Sequence, residues 1–455
     1  MTSERDTIFA LSSGRPPAAI AVVRISGPRA RLALEQLIGR VPQPRHASLA
    51  RVRDPKTAAI IDEALALWFP APNSETGEDM AELQVHGGRA VIAAVLAALA
   101  NVAGLRHAEA GEFTRRAFEN GRMDLTAVEG LADLVAAETE AQRRQAYQHL
   151  KGLLGERAET WRQRLIEALA LVEAGIDFSD EDDVPKDMMA RALELIRPLA
   201  EEISKAGAGQ GERLREGLRV AIAGPPNAGK STLFNRLARR DAAIVSPFPG
   251  TTRDVLELHL DLGGYPVTML DTAGIRETND PVEREGVRRA SEQATGANLV
   301  LWVVDASASE CQTVQLPAIK VESESIIWLV ANKIDLVAEE EQRKIESRFD
   351  EKEVVNFVSS KTGAGVDELV NAIARFAARF FFTPEPALVT RERQRAHLKE
   401  TVLALQGAQR AAQDGREEIM AEQLRLATRA LGKLLGRVDV EDVLDVIFRD
   451  FCIGK

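Results

Sequence analysis

The stretch Val220-Ala221-Ile222-Ala223-Gly224-Pro225-Pro226-Asn227-Ala228-Gly229-Lys230-Ser231 decides how the chain is read. Four apolar residues read as a buried strand, and the residues after them fit G-x-x-x-x-G-K-[ST] in front of a helical stretch. Glycines there let backbone N–H groups wrap a phosphate chain, and the start of the following helix favours its negative charge. Lys230 is placed to reach the β and γ oxygens, and Ser231 offers a hydroxyl to magnesium.

Outward from that loop, the apolar runs Arg219 to Ala223, Val267 to Leu270, Leu299 to Val304, Ile326 to Ala331 and Val354 to Val358 alternate with helical stretches. This is the βαβ rhythm of a mostly parallel, doubly wound sheet, and chemically distinctive residues follow several of the runs. After the second comes Asp271-Thr272-Ala273-Gly274, where the Asp can hold magnesium through water and the Gly N–H can meet a γ-phosphate. Asn332-Lys333-Ile334-Asp335 follows the fourth; the Asp335 carboxylate can accept from both N1–H and the exocyclic amine of guanine, a donor pair adenine lacks. Ser359-Ser360-Lys361-Thr362 follows the last, as backbone contact to the guanine carbonyl. Gly250-Thr251-Thr252-Arg253-Asp254 offers Thr252 as the threonine that ligates magnesium only when a γ-phosphate is present. In these five motifs the domain resembles the translation-factor-related GTPases.

One expected group is missing. Many small GTPases orient the attacking water with a Gln directly after D-x-x-G, and here that position is Ile275. Asn227, with backbone carbonyls of the Ser246 to Thr251 loop, could ligate a monovalent cation that neutralises transition-state charge; on local grounds it is equally a turn residue. Glu283 is the acid best placed to orient the water through a second one, although Pro281-Val282-Glu283-Arg284 also reads as an ordinary helix N-terminus.

The rest of the chain divides around this unit. Residues 1–120 alternate short apolar runs with turn residues and read as an α+β domain. Residues 121–216 are rich in Ala, Leu, Glu, Gln and Arg and read as helices, with the acidic run Asp177 to Asp183 as a loop between two of them. The α/β unit occupies 217–383, and 384–455 return to helix. The economical arrangement is one helical domain with the α/β domain inserted into it. Leu434, Leu435, Val438, Leu444, Ile447, Phe448 and Phe451 carry an apolar helical pattern almost to Lys455, so the tail is expected to be docked rather than frayed. Cys452 reads as a small buried hydrophobe or as a reactive thiol.

The 455 residues are 45% apolar, enough for a core in each domain, and disordered or collagen-like classes are excluded. The longest apolar run, Ala90 to Ala100, is too short to cross a bilayer, and no secretory signal is read at the start. Cys311 and Cys452 match neither a disulfide framework nor a zinc site. A cytoplasmic protein without membrane contact is expected. With 69 acidic against 58 basic residues the net charge is −11, so binding to nucleic acid by bulk phosphate neutralisation is excluded, and any such contact must be a local patch or shared with a partner.

Further segments carry an end-to-end resemblance: Asp6-Thr7-Ile8, Ala21-Val22-Val23-Arg24-Ile25-Ser26-Gly27, Thr76-Gly77-Glu78-Asp79 leading to His86-Gly87-Gly88, Gly111-Glu112-Phe113-Thr114 with Arg116-Ala117-Phe118, and the terminal Cys-Ile-Gly-Lys. With the inserted GTPase domain, they make the chain resemble the tRNA modification GTPase MnmE (TrmE) family. The resemblance implies a homodimer joined through a folate-binding-like N-terminal domain. It implies action with a flavin (FAD) partner, MnmG or GidA, in a heterotetramer that places an aminomethyl or carboxymethylaminomethyl group on carbon 5 of the wobble uridine of tRNA. By motif, folate contacts (5-formyl- or 5,10-methylene-tetrahydrofolate) would fall on Arg24, Glu82, Arg122 and Lys455, with Arg122 standing where the family more often has Lys. Potassium would fall on Asn227, Ser246, Phe248 and Thr251, and magnesium on Ser231 and Thr252. The GTP contacts would be Asn227 to Thr232, Ser246, Thr251, Thr252, Asp271 to Gly274, Asn332, Lys333, Asp335 and Ser359 to Lys361, with Asn227, Lys230 and Glu283 as catalytic groups. The rival expectation is a ribosome-assembly GTPase switch without one-carbon chemistry, which would carry a basic RNA-binding module in place of the N-terminal 120 residues, whereas this chain as a whole is acidic.

Overall fold

The computed structural model describes residues 6–177, 187–208, 211–240, 242–244, 256–271, 296–308, 326–346, 355–382, 386–438, 444, 447–448, 451 and 454. The acidic run beyond Asp177 and Thr383-Pro384-Glu385 lie outside them. Two compact units form: Met1–Ala132, Gln148–Ser204 and Ala396–Lys455 contribute to one, Asp133–Tyr147 and Lys205–Arg395 to the other. The chain is a multidomain α/β protein.

The second unit is built on seven strands: β7 (Leu218–Ala223), β8 (Ala243–Ile244), β9 (Leu256–Leu262), β10 (Tyr265–Asp271), β11 (Leu299–Asp305), β12 (Ile326–Asn332) and β13 (Val355–Phe357). Their order is β13-β12-β11-β7-β10-β9-β8. The first five of that order run parallel, and β9 and β8 turn antiparallel at the edge. Val220, Ile222, Leu301, Val303 and Val330 pack on one side of the sheet with Leu233 and Leu237 of helix Lys230–Ala238 and Leu369 and Ile373 of helix Val366–Phe380. Ala221, Ala223, Val300, Trp302 and Val304 form a core on the other. Burial on both faces is why these strands read as continuous apolar runs rather than alternating ones.

The first unit holds β1 (Thr7–Leu11), β2 (Ile20–Ser26), β3 (Ser48–Arg53), β4 (Ile60–Phe69), β5 (Met80–His86) and β6 (Leu105–His107) in the order β3-β4-β5-β2-β1-β6. All neighbours are antiparallel except β1 and β6. Helices Ala30–Ile38 and Arg89–Ala100 place Ala30, Ala33, Leu34, Leu37, Ile92, Val95 and Leu99 in the core of this sheet. The longest apolar run is thus the second of these helices, and no helix among the described residues is long and apolar enough to cross a membrane.

Helices Leu153–Asp177 and Glu417–Leu435 pack against each other in the same unit. Leu154, Ala158, Trp161, Leu165, Ala168 and Val172 form the buried stripe of the first, at helical spacing. Met420, Leu424, Ala427, Leu431 and Leu434 form that of the second. The two helices are separated in sequence by the whole nucleotide-type sheet. Beyond them Leu444, Phe448 and Phe451 bury against Leu125 and Val128. Gly454, at φ 98°, lies so close to β1 that a Cβ would stand 2.1 Å from the Leu11 carbonyl oxygen. Only glycine fits there, and the tail is docked on the first unit.

Candidate functional site

In the second unit, the phosphate-type loop leaves β7 at the carboxyl edge of the parallel sheet, where ligands bind in such folds. Two of its glycines are forced by close approach. A Cβ on Gly224 (φ 141°) would stand 2.1 Å from the Val303 carbonyl oxygen, and one on Gly229 (φ 94°) 2.2 Å from the Asn332 amide nitrogen. Asn227 is exposed and left-handed at φ 60°, a conformation Asn tolerates better than most residues. Lys230 Nζ donates to the carbonyls of Gly224 (3.0 Å) and Pro225 (2.8 Å), which holds the ammonium over the loop. Ala228 is buried, while Ser231 and Thr232 open to solvent in the first turn of the helix. Asp271 ends β10 in register with Ile222 of β7 and is buried.

The base-type motifs meet this loop through one side chain. Asn332 is buried at the end of β12; its Nδ2 donates to the Ala228 carbonyl at 2.7 Å, and its Oδ1 accepts from the Ser360 backbone N–H and hydroxyl, both at 2.9 Å. Ser359 Oγ donates to Asp335 Oδ1 at 2.6 Å and accepts from the Thr362 N–H. Lys333, left-handed at φ 65°, extends Nζ to Asp305 Oδ2 at 2.6 Å. Burial pushes the Asp305 carboxyl up, but hydrogen bonds from Lys333 and Ser307 more than reverse this and hold it below the usual range. Arg236 donates to the carbonyls of Ser360 and Lys361, fixing the loop from behind.

The first unit holds a different cluster. Arg24 on β2 faces Glu82 on β5 in direct register, with Nε and Nη2 at 3.1 and 3.0 Å from Glu82 Oε1. Its Nη1 stands 2.7 Å from Glu75 Oε2, and the guanidinium lies 5.8 Å from the centre of the Phe113 ring. Arg122 is exposed, its aliphatic stem alongside the Gly77 turn. Next to that turn sits a buried ionic network. Arg116 Nη1 donates to Glu78 (3.0 Å) and the Asp6 carbonyl (2.9 Å), and Nη2 to Glu112 (2.9 Å). Ser26 donates to Glu78 and shares a 2.7 Å hydrogen bond with Thr76. Burial pushes the Glu112 carboxyl up, yet Arg106, the Glu109 N–H and Arg116 outweigh it, leaving the group below its ordinary 4.5.

Of the residues singled out in the sequence, Asn227, Ala228, Gly229, Lys230, Ser231, Thr232, Asp271, Asn332, Lys333, Asp335, Ser359, Ser360 and Lys361 belong to the loops and strand ends just described. Arg24 and Glu82 are in contact and Arg122 lies along the neighbouring turn. Ser246, Phe248, Thr251, Thr252, Thr272, Ala273, Gly274, Glu283 and Lys455 lie outside the described residues, as do Ile275, Cys311 and Cys452. Asp305, Arg236, Glu75 and the Arg116 network were not anticipated. Asp305 had a signal, an acid closing an apolar strand at the same edge as Asp271; the network had none beyond lying within quoted motifs.

A parallel sheet with a phosphate loop after its first strand and N-K-x-D after a later one defines a P-loop GTPase. A model of the MnmE helical domain matches residues 125–452, and one of the GTP-binding protein TrmE N-terminus matches 7–122. The chain is 56% identical over 452 residues to a tRNA modification GTPase MnmE of Bradyrhizobium sp. (strain ORS 278), covering 99% of each. It is 52% identical over 454 residues to the protein of that name from Parvibaculum lavamentivorans, covering 99% of this chain and 100% of the relative. Among solved structures, the G domain of the T. maritima FeoB iron transporter is 28% identical, covering 35% of this chain and 98% of that one, at a TM-score of 0.26. The chain belongs to the tRNA modification GTPase MnmE family, and it is a GTPase.

Proposed function

We propose that the chain is the GTP-hydrolysing component of a cytoplasmic complex that places an aminomethyl or carboxymethylaminomethyl group on carbon 5 of the wobble uridine of tRNA, using a one-carbon unit from tetrahydrofolate. It acts as a homodimer with a flavoprotein partner of the MnmG type. The domain reading is 1–120 for folate binding and dimerisation, 121–216 with 384–455 as the helical domain, and 217–383 as the inserted GTPase domain.

The observation that carries this reading is the Arg24–Glu82 pair over Phe113, on the same unit as the docked tail. A folate presents an aromatic pterin with N–H donors and an acidic glutamate tail. Glu82 is an acceptor for the former, and Arg24, Arg122 and Lys455 are cations for the latter. The donor set therefore fits the ligand.

In the GTPase domain, Lys230 and the N–H groups at the start of helix Lys230–Ala238 bear the charge of the β and γ phosphates. Asp335 selects guanine, held in place by Ser359. Ser231 and Asp271, with Thr252, would hold magnesium, which when bound would supply charge neutralisation for the phosphates. Asn227, with Ser246, Phe248 and Thr251, is the potassium-side set, and Glu283 orients water in place of the Gln that Ile275 replaces.

The test is deletion of Lys455, which should weaken 5-formyl-tetrahydrofolate binding at least tenfold in calorimetry, the loss of one charge-assisted contact being roughly 1.5–3 kcal/mol. GTP hydrolysis without partner should be unchanged. Folate binding as tight as in the full chain would remove the tail from the one-carbon site.

A further inference from the structure

The first unit carries a cavity that neither site uses. It has a volume of about 250 Å³ and lies between helices Leu153–Asp177 and Glu417–Leu435. Arg162, Arg425, Arg429 and Arg437 line it together with Leu169 and Thr428, and among the described residues no acidic side chain is part of the lining. In a chain of net charge −11 four arginines around one opening are a strong local departure.

Helix propensity by itself does not favour the arrangement. Arg425, Arg429 and Lys433 follow one another at four-residue intervals on the same helix, and like charges at that spacing destabilise a helix rather than support it. Lys433 and Arg437 gain something from lying at the helix C-terminus, but Arg425 and Arg429 stand too far from that end. Among the described residues, Glu159 is paired to Arg162 at 2.9 Å and Arg437 at 3.0 Å, Glu173 to Arg425 at 2.8 Å, and Glu422 lies 3.4 Å from Arg425; Arg429 and Lys433 are also engaged in interactions. These ion pairs orient the guanidinium groups without consuming them: each arginine has five N–H donors, and a bidentate carboxylate engages two. Arg425 and Arg437 are each 52% exposed, so their remaining donors are within reach of a ligand.

We propose that this arginine-lined face is a docking site for the phosphate backbone of RNA, and that it holds the tRNA substrate. The cations on the helix recur about every 6 Å along its axis, a spacing suited to successive phosphates of one strand. Arginine forks match phosphate geometry, and an acidic chain needs such a local patch to meet a polyanion at all. Recognition here is of backbone, not base, so it positions the RNA without reading its sequence. The proposal rests on the tRNA reading given above.

The experiment compares full-length wild type with Arg425→Gln/Arg429→Gln and with a control, Arg31→Gln/Arg51→Gln, which removes the same charge from exposed ion pairs on the other part of the unit. The probe is an unmodified tRNA transcript, titrated by fluorescence anisotropy at several salt concentrations. The cavity variant should bind at least about tenfold more weakly at low salt, with a slope of log K against log salt shallower by roughly 1 to 2. Arg425→Lys/Arg429→Lys should restore much of the slope. Unpartnered GTP hydrolysis and the thermal midpoint should stay as in wild type. Equal weakening of cavity variant and control would mean diffuse charge and overturn the site. Wild-type affinity and slope in the cavity variant would overturn it while leaving tRNA modification standing. If wild type itself fails to bind tRNA at low salt, both the site and the tRNA reading fall.

Discussion

The two sheets of this protein bring their polar side chains together by different means. In the second unit the groups come from short loops at one edge of a parallel sheet, and each loop is a contiguous motif: Gly224 to Ser231, Asn332 to Asp335, Ser359 to Thr362. In the first, Arg24 and Glu82 meet because two antiparallel strands pair in register across 58 residues, and the turn beside them is set by Arg116. Backbone N–H groups wrap phosphates best from a single loop, so such a site is compact in sequence. A cluster built from side chains on a sheet face is scattered in sequence by the very pairing that assembles it.

This contrast can be broken or sharpened experimentally. The largest effect is expected for Arg116→Ala, which removes the buried guanidinium that bridges Glu112 and Glu78 and leaves Glu112 with Arg106 as its remaining arginine partner. Loss of one partner of a buried ion pair costs roughly 3–5 kcal/mol. Hydrogen exchange should accelerate in β1, β2 and β5 and stay unchanged in β7, β11 and β12; acceleration in both sheets would show that the units are not separately stable. Next, Lys230→Ala should lower kcat for GTP about 10²- to 10³-fold, as expected for removal of a preorganised group facing transition-state charge. Folate affinity should remain within twofold of wild type.

Asp335→Asn should be milder. It exchanges a charge-assisted pair of bonds for neutral ones, worth roughly 1.5–3 kcal/mol, and should shift preference from guanine towards xanthine nucleotides. A competition titration that still favours GTP as strongly as wild type would remove Asp335 from base recognition. The smallest effect concerns pH. Because the Glu112 carboxyl lies below its ordinary 4.5 in the folded protein, its contribution to stability is complete above that value and is lost as pH falls through the lower, folded one. Acid should therefore loosen the first unit, and Glu112→Gln should flatten that dependence, as read by urea midpoints between pH 3 and 6 or so.

Much of the architecture was legible in advance, for physical reasons that vary by element. The runs Leu299 to Val304 and Ile326 to Ala331 are strands because burial on both faces leaves them no polar positions. The phosphate loop was legible because its glycines are demanded by contacts, to Val303 and Asn332, that any working loop must make. Asn332 itself was read only as part of a base motif. Its role as the brace between Ala228 and Ser360 depends on two loops over 100 residues from one of them and 28 from the other. Arg24 and Glu82 acquired meaning only through family resemblance, since neither residue is unusual locally and their register is set by sheet pairing. Arg116 was hidden for the same reason: its partners Asp6, Glu78 and Glu112 come from three separate segments. The arginine-lined cavity was foreshadowed solely by the charge balance, which required any nucleic-acid contact to be local.

The packing of Leu444, Phe448 and Phe451 on Leu125 and Val128 has a consequence for the birth of the molecule. On the ribosome, Leu125 emerges some 320 residues before its partners exist. At a synthesis rate of about 5–20 residues per second, that apolar surface waits roughly a quarter of a minute to a minute for its cover. The nucleotide-type sheet is made entirely within that interval and can fold first. Nascent chains should therefore recruit holding chaperones to the early helical segment even while the later-made GTPase domain is already native.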